Sequence, residues 1–496
     1  MEARERTGRR LAFAAVAALL LAGLTQNGFV DPDLWHELAL AREAWHVGGL
    51  PLRDDFAFTP TVVPVVHHEW GTGALLWAVV SAFGGAGLLV VRYLLVAALA
   101  LLAWRAARRR GAHWTGFAVL APVAVVLSWF GFSTVRAQMF TLVMCAWLLL
   151  ALGRDRDGDR RWIPAWLVGH VIWVNLHAGF VVGLIWVLAH GTEEFLRHRP
   201  WRHLAGVALA MAALVLVNPY GTAYVSYLGR ALVMDRPLIT EWAPVWAAFG
   251  PVIAIFAVSL LVAVYAVWRR GWSGASDVLI LALAAYAAAR HQRHLALYAV
   301  AWVVLVPSWL EPTPLGRAVR ELWSSRPRVC STAALVVALV CSGAALRNRP
   351  WELDVPANPG DHPLLTYPVG AVDYLRETGF AGNALTGFDW GAYVSFQLYP
   401  AVRVSMDGRY EVAYPRGSLE DTRAIYAAEE GWRERLARYA PDVVLAPAGG
   451  RLAGGLAETA DWTRCYRDDA FEVFARPGLG LPVVDARGRE LVGVFP

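Results

Sequence analysis

Long apolar blocks dominate the first two thirds of the chain. Each block runs for about 15–20 residues, the length that an α-helix needs to cross the hydrocarbon core of a bilayer. Short loops rich in arginine, glycine and proline separate the blocks. The pattern therefore predicts an α-helical polytopic membrane protein. Its first block is predicted to be an uncleaved signal-anchor helix, because no A-x-A cleavage site follows it.

The positions of the arginines order these blocks across the membrane. The arginine-rich N-terminus and the string RAARRR at 105–110 belong inside by the positive-inside rule. Residues 31–85 then lie outside, and the apolar piece at 70–83 lies in the interface or dips back. The remaining blocks alternate, which predicts about eleven spans with the N-terminus inside. These predicted spans are about 11–29, 86–104, 115–131, 138–153, 162–175, 178–190, 203–217, 250–268, 275–289, 295–310 and 329–346.

The pattern changes after about residue 360. Short runs typical of β-strands alternate there with amphipathic helical stretches, which predicts a small, partly parallel α/β domain. We place a transmembrane domain at 1–346, with an outer loop at 31–85 that carries interfacial helices. A linker at 347–362 then leads to a soluble extracytoplasmic α/β domain at 363–496.

Composition narrows the class of partner. The chain is 57% hydrophobic, has a mean hydropathy of +0.42 and contains 24 Trp, so membrane lipid is the first expected partner. The basic residues are arginines that lie mainly in short loops. The net charge of +5 therefore reflects membrane orientation and gives no reason to expect nucleic acid. The four cysteines match neither a disulfide framework nor a zinc spacing.

The unusual polar motifs of the membrane part fall in loops that are predicted on the outer face. Polar groups near lipid are costly to place, so such a collection predicts a functional site. Asp31 and Asp33 follow the first span directly. As catalytic groups they would activate an acceptor hydroxyl or hold a metal ion. The alternative is that one of them caps the following helix, and one residue can do both.

A divalent metal ion such as Mn²⁺ or Mg²⁺ is the predicted cofactor. The candidate ligands are Asp31, Asp33, His36, His68 and Glu69, with His67 beside them. Imidazole and carboxylate together suit Mn²⁺ or Zn²⁺ better than Mg²⁺. The spacing matches no fixed metal motif, so polar residues at a loop end remain the alternative.

Further outer loops carry candidates for binding substrate phosphate. The arginine candidates are Arg136, Arg290 and Arg293. Guanidinium groups contact phosphate oxygens in bidentate fashion, and anionic lipid headgroups are the alternative partner. Asn175 and His177 either face a substrate cavity or satisfy a tight turn between two spans. Glu241 is either a second acidic group that reaches the acceptor or a loop anchor.

These motifs resemble those of the GT-C class of polytopic glycosyltransferases, which take sugars from polyprenyl-phosphate carriers. Protein O-mannosyltransferases and aminoarabinose transferases belong to this class. The resemblance covers about 31–105, from the DPD motif through a Gly-rich break to an arginine-containing helix. A bacterial subgroup of GT-C-like membrane proteins is closer. It shares VRAQ at 135–138, NLHAGF at 175–180, NPYG at 218–221, FDWGAY at 388–393 and MDGRY at 406–410.

The resemblance implies a membrane glycosyltransferase of the bacterial inner membrane. It would move a sugar from a polyprenyl-phosphate donor to a glycan, lipid or protein acceptor of the cell envelope, on the outer face. The paired acidic motif of the better-known enzymes is often Asp-Glu. Here two Asp flank Pro32, which leaves the role of each carboxylate open.

Two other functions stay open. A transporter or flippase for a lipid-linked glycan would need charge in mid-span and broken helices in paired halves, and Arg92 is the main mid-span charge in the sequence. A non-catalytic envelope-assembly protein would not need the Asp pair. In the tail, polar residues of FDWGAY and MDGRY are interpreted as turn and core residues, or as part of a glycan site.

Overall fold

The computed structural model describes residues 2–26, 28–234, 236, 239–415 and 417–496. The chain forms two compact units. The first, which we call the helical unit, consists of Met1–Gly28 and Leu89–Glu352. The second, the sheet unit, consists of Phe29–Leu88 and Leu353–Pro496.

Helices follow one another through the first 350 residues, joined by short loops. Single 3₁₀ turns lie at Thr240–Trp242, Val245–Ala247 and Gln292–His294. The helices are α1 (Glu2–Thr25), α2 (Pro32–Val47), α3 (Trp70–Arg109), α4 (Trp114–Phe132), α5 (Gln138–Arg156), α6 (Trp162–Leu176), α7 (Phe180–Leu196), α8 (Arg202–Leu214), α9 (Thr222–Val233), α10 (Gly250–Arg270), α11 (Val278–Arg290), α12 (Leu295–Leu310), α13 (Pro314–Ser325) and α14 (Pro327–Arg347).

Apolar helices make this a membrane-embedded protein. Each predicted span falls on a helix, which confirms where the periodicity located them, whereas α9 and α13 were missed. In the described part of the chain, six helices are long and apolar enough to cross a bilayer. They are Glu5–Thr25, Trp70–Arg109, Gln138–Arg156, Gly250–Arg270, Gln292–Leu310 and Pro327–Arg347. The shorter apolar helices are Trp114–Trp129, Trp162–Leu176, Arg202–Leu214 and Val278–Arg290.

Helix α12 forms the core of the helical unit. Every residue from Leu295 to Leu310 is buried, and the helix packs against α4, α5, α10 and α11. A helix that is apolar on all sides is stable only when it is surrounded, either by protein or by lipid. Helix α10 is the contrasting case, because its apolar side chains Leu261, Val264 and Trp268 are exposed.

Helix α3 contains the predicted Gly-rich break. The helix runs through 40 residues and kinks at Gly84, where φ is 58° and ψ is −151°. Residues that have a Cβ rarely adopt this backbone conformation, so the kink requires glycine. The pieces at 70–83 and 86–104 are therefore two helical segments on either side of one residue.

A buried ion network ties the helical unit together near one end of α5, α7 and α11. Arg156 contacts both Glu193 (3.0 Å) and Asp277 (3.0 Å), and Arg110 donates to the other oxygen of Asp277 at 3.0 Å. His190 lies 2.6 Å from Asp277 as well. Charges this deeply buried persist only in partnered groups, so the network locks these helices in register.

The sheet unit follows the predicted order of strands and helices. The predicted elements were found, and the additional ones are α16, α17, α20 and β6. The elements are α15 (Val369–Glu377), β1 (Gly382–Leu385), α16 (Gly391–Leu398), β2 (Val402–Val404), α17 (Tyr410–Ala413), α18 (Ser418–Tyr426), α19 (Trp432–Tyr439), β3 (Val443–Pro447), α20 (Arg451–Ala457), β4 (Thr463–Arg467), β5 (Phe471–Ala475) and β6 (Val484–Asp485).

The six strands form one mixed sheet in the order β2-β1-β3-β5-β4-β6. Strand β1 pairs in parallel with β2 and β3, β5 is antiparallel to β3 and β4, and β6 is parallel to β4. The prediction of a partly parallel α/β domain is thus confirmed. Its core is apolar, with Leu385, Val444 and Phe474 on the strands against Ile425 and Leu456 on the helices.

Residues 29–88 belong to the sheet unit, although the sequence pattern assigned 31–85 to the transmembrane domain. The backbone of Phe56 accepts from Val404 N–H (2.9 Å), and Phe58 N–H donates to Val404 (3.1 Å). Because β2 is an edge strand, its free backbone groups pair with this loop. Phe29 similarly forms an isolated parallel β-bridge with Asp354, a residue of the predicted linker 347–362. Such long-range pairing leaves no trace in local periodicity.

Helix α2 packs on protein, where the sequence pattern predicted an interfacial helix. Trp35 is fully buried and contacts Tyr393 and Phe396 of α16 at ring-centroid distances of 5.1 and 5.3 Å. Tyr367 reaches the same region and donates to the carbonyl of Val30 at 2.8 Å. Aromatic burial of this extent holds α2 firmly in the sheet unit.

Candidate functional site

Asp31 begins helix α2 as its N-cap. The carboxylate accepts from the backbone N–H of Asp33 at 3.0 Å, and the side chain is buried. This satisfies one of the backbone donors that a helix leaves free at its start. The side chain of Asp33 lies beside the MDGRY segment. Its Oδ1 is 3.5 Å from the position that a Cβ on Gly408 would occupy. The capping alternative holds for Asp31, and a catalytic role for either carboxylate stays a prediction.

One turn further along α2, His36 and Glu37 meet Glu69, which precedes α3. The potential ligand atoms of these three side chains lie within 4.8 Å of one another. The two helices approach closely because residue 73 is glycine. A Cβ there would lie 2.7 Å from the carbonyl oxygen of Glu37. We call His36, Glu37 and Glu69 the carboxylate–histidine cluster.

The cluster borders a small cavity within the sheet unit. The cavity offers about 30 Å³ to the centre of a water-sized molecule. One water needs roughly 10–15 Å³ on this measure, so the space suits about two waters or an ion with a water. The lining residues are His36, Glu37, Leu40, His67, His68, Glu69, Trp70, Gly73, Arg409 and Val412.

Burial and like charge both act on the carboxyl groups of the cluster. Burial raises the pKa of Glu37 well above its usual range, and the charge of Glu69, which also hydrogen-bonds to Glu37, raises it further. Two carboxylates this close repel unless a proton or another cation lies between them. Glu69 also contacts His68, with 3.3 Å between Oε1 and Nε2.

Two histidines of the cavity, His36 and His67, are held neutral. Burial lowers the pKa of His36 to about 4, against the raising influence of Asp407 and Glu69. Burial also lowers the pKa of His67 well below its usual range, and Arg409 acts in the same direction. A neutral imidazole has a lone pair available, which is the form that binds a metal ion or accepts a proton.

Arg409 from the MDGRY string forms one wall of the cavity. Its guanidinium is almost fully buried and donates to both oxygens of Asp407, at 3.0 Å to Oδ1 and 2.6 Å to Oδ2, and to Asp54. It also lies over the ring of Phe56, 5.2 Å from the centroid. Asp407 and Arg409 are therefore core residues, as the sequence pattern suggested, and Arg409 also borders the candidate site.

The structure brings together part of the predicted metal set. His36 and Glu69 belong to the cluster, and His68 is in contact with Glu69. Among the described residues, Asp31 and Asp33 are not part of this cluster. Sequence reasoning missed Glu37, whose only signal was a buried position on an otherwise apolar helix face.

A second polar cluster lies in the helical unit around Trp242. Arg136 binds Glu241 at 3.3 Å, and both side chains are partly exposed, at 26% and 34%. The guanidinium groups of Arg236 and Arg293 lie 4.2 and 4.5 Å from the Trp242 ring centroid. Burial raises the pKa of Glu241, but the charges of Arg136 and Arg293 outweigh it, so the pKa is lowered. We call these five residues the arginine–tryptophan cluster.

Chain geometry explains how the predicted Arg136, Glu241 and Arg293 come together. The side chain of Gln138 donates to the backbone carbonyl of Arg293 at 3.2 Å, which joins the start of α5 to the start of α12. The backbone of Gln292 donates to Ala243 at 3.0 Å. Arg236 was missed, and Arg290 is exposed at the end of α11, outside the cluster.

Asn175 and His177 satisfy the connection between α6 and α7. The amide of Asn175 donates to the carbonyls of Val171 and Val217, both at 2.9 Å. His177 Nδ1 accepts from the backbone N–H of Gly179 (2.9 Å) and lies 2.8 Å from Thr141 Oγ1. The tight-turn alternative therefore describes these contacts, and a substrate role stays a prediction.

The FDWGAY string of the tail is a packing element of the sheet unit. The Trp390 ring packs edge-on against Tyr426 and Phe471, 5.5 and 5.2 Å between centroids. Asp389 beside it is exposed. These contacts fit the turn-and-core interpretation.

No protein-family model matches the sequence, and no curated protein matches it either.

Proposed function

We propose that the protein is a membrane glycosyltransferase of GT-C type. It transfers a sugar from a polyprenyl-phosphate donor to a glycan, lipid or protein acceptor of the cell envelope. The proposal has its origin in the motif resemblance, and the carboxylate–histidine cluster is the observation that supports it. Two of its residues, His36 and Glu37, lie on the helix that comes directly after the first apolar helix, in the segment where GT-C enzymes carry acidic groups.

The proposed topology puts both polar clusters on one side of the membrane. By the positive-inside rule, about eleven spans leave the N-terminus inside and the C-terminal segment outside a bacterial inner membrane. The segments that carry His36, Arg136, Glu241 and Arg293 are then all extracytoplasmic, the side on which lipid-linked sugars are consumed.

The chemistry of the two clusters suits the two halves of such a reaction. The carboxylates of the carboxylate–histidine cluster can hold or deprotonate an acceptor hydroxyl. Its cavity admits only a water-sized group, so the hydroxyl enters and the sugar ring stays at the mouth. Among the described residues of the arginine–tryptophan cluster are three guanidinium groups, which suit the oxygens of a lipid phosphate.

Phosphate recognition is tested by the binding of a short-chain polyprenyl phosphate to the purified full-length protein. Arg293→Ala should weaken binding about ten-fold or more, because a charge-assisted contact is lost. Arg290→Ala is the matched control, since Arg290 is a neighbouring arginine that is exposed and outside the cluster. Equal binding by Arg293→Ala and the wild type would remove phosphate recognition from this cluster.

Catalysis is tested by transfer of radiolabelled sugar from polyprenyl-phosphate donors to a cell-envelope fraction. We expect transfer by the wild type, a loss of about 100-fold or more in Glu37→Gln, and unchanged transfer in Glu43→Gln on the same helix. If no donor supports transfer but liposomes with the protein move a labelled lipid-linked glycan across the bilayer, the protein is a transporter. If neither occurs, a non-catalytic assembly role replaces the proposal.

A further inference from the structure

We propose that His36, Glu37 and Glu69 bind one divalent transition-metal ion of the Mn²⁺ or Zn²⁺ class. The inference stands on the geometry of the sheet unit and does not require the protein to be a transferase. It replaces the metal set expected from the sequence with a smaller one that includes Glu37 and excludes the Asp pair.

The spacing of the three side chains is close to that of a coordination sphere. Their ligand atoms lie within 4.8 Å of one another. Atoms bound at about 2.0–2.2 Å to a common ion cannot be more than about 4.4 Å apart. If side-chain rotation brings the ligand atoms a few tenths of an ångström closer together, the site is complete, and α2 and α3 need not move.

Two atoms of the cluster are left without hydrogen bonds. Within the described part of the chain, Glu37 Oε2 and His36 Nδ1 are inaccessible to solvent and have no hydrogen-bond partner. The Glu37 side chain is 3% exposed and lines the cavity. Buried polar atoms in native proteins are almost always satisfied, so an orphaned carboxylate oxygen facing a cavity indicates a missing ligand.

The charge around the cavity favours a cation. Among the lining residues that the structure describes, Arg409 supplies the guanidinium, and it is already bound to Asp407 and Asp54. Two carboxylates, Glu37 and Glu69, line the same cavity. A divalent ion between them would offset their mutual repulsion and the cost of burying them.

The kind of ion follows from the donors and the space. One imidazole with two carboxylates suits Mn²⁺ or Zn²⁺, whereas Mg²⁺ prefers oxygen ligands alone. The cavity of about 30 Å³ leaves room for a water beside the ion. Three protein ligands with an open position are the arrangement of catalytic sites, whereas structural sites are closed by four ligands.

Metal binding is measured on full-length protein that carries no histidine tag and has been treated with a chelator. Titration with Mn²⁺ or Zn²⁺ and elemental analysis after dialysis should give one equivalent in the wild type. Glu37→Gln and Glu69→Gln should weaken binding about 100-fold or more, because each loses a charged ligand. Glu43→Gln removes a carboxylate of α2 outside the cavity and should bind like the wild type.

A spectroscopic measurement keeps the test decisive if a variant folds poorly. Electron spin-echo spectra of the Mn²⁺-loaded wild type should show nitrogen coupling from a bound imidazole, and His36→Gln should lose it. Added Mn²⁺ or Zn²⁺ should also raise the melting temperature of the wild type. No stoichiometric ion in the wild type, or equal binding in Glu37→Gln, would overturn the site.

The outcomes separate this inference from the proposed function. A stoichiometric ion lost in Glu37→Gln, without any sugar transfer, supports the metal site and removes the transferase. Sugar transfer by chelator-treated protein that binds no ion supports the transferase and removes the metal site.

Discussion

Arg409 is the residue on which the wall of the cavity depends. Its guanidinium is 3% exposed, and it is held by Asp407 on its own turn and by Asp54 from the loop before α3. A buried charge of this kind is expensive on its own and tolerable only in its pair. The sequence could suggest a turn at MDGRY, but it could not show that a residue 355 positions earlier completes the pair.

Replacing Arg409 should destabilise the sheet unit. Arg409→Met keeps most of the side-chain volume but leaves Asp407 buried without its partner, which costs about 3–5 kcal/mol. The measurement is the apparent melting temperature of the full-length protein in detergent. Arg403→Met, at an exposed position of β2 in the same segment, is the matched control and should change little. A melting temperature equal to that of the wild type would show that the pair contributes nothing.

The same variant should change the response to acid. Burial raises the pKa of Asp407, but Arg409 outweighs it and holds this pKa below the ordinary 3.8. The ion pair therefore stabilises the fold above pH 3.8, and this contribution is lost as the pH falls through the lower folded value. In Arg409→Met the guanidinium no longer offsets the effect of burial, so protonation of Asp407 removes the cost of an unpaired buried charge. The gap in melting temperature between the two proteins should narrow from pH 6 toward pH 3.5; a widening gap would contradict the pair.

At the scale of elements, α2 and the FDWGAY string both depend on partners that are distant in sequence. Local periodicity located α2 well, and its Asp31 cap could be foreseen from residue type. Its burial against α16 could not, because an amphipathic stretch looks the same whether lipid or protein covers it. The glycine of FDWGAY is a similar case, since its reason lies in a close approach of the MDGRY segment.

Gly391→Ala should disrupt that approach. A Cβ at position 391 would lie 1.9 Å from the carbonyl oxygen of Met406, so backbone must shift, at a cost of about 1–3 kcal/mol or more. The melting temperature of the full-length protein should fall. Gly454→Ala, within α20, meets nothing within 4 Å and should leave stability unchanged or raise it by about 0.4–1 kcal/mol. Equal effects of the two substitutions would refute the packing argument.

At the scale of the whole molecule, periodicity predicted most helices and strands but not their grouping into units. Spans, strands and their order follow from local patterns. The assignment of 29–88 to the sheet unit depends on backbone pairing with β2 and on aromatic packing around Trp35, which no local pattern encodes. The cavity was only partly foreseen for the same reason: His36 and Glu69 are separated by a loop whose path is set by the tail.

The predicted orientation in the membrane is a property of the whole chain, and it can be tested at two positions. An odd number of predicted spans separates the end of α3 from the tail, so Arg108 and Glu458 should lie on opposite sides. In protein whose four native cysteines are replaced by serine, each exposed position is changed to cysteine and treated with a membrane-impermeant maleimide. Glu458→Cys should react in intact cells, and Arg108→Cys only after permeabilisation. Reaction of both from the outside would mean that one short helix, such as α7 with its buried Glu193 and Glu194, does not cross.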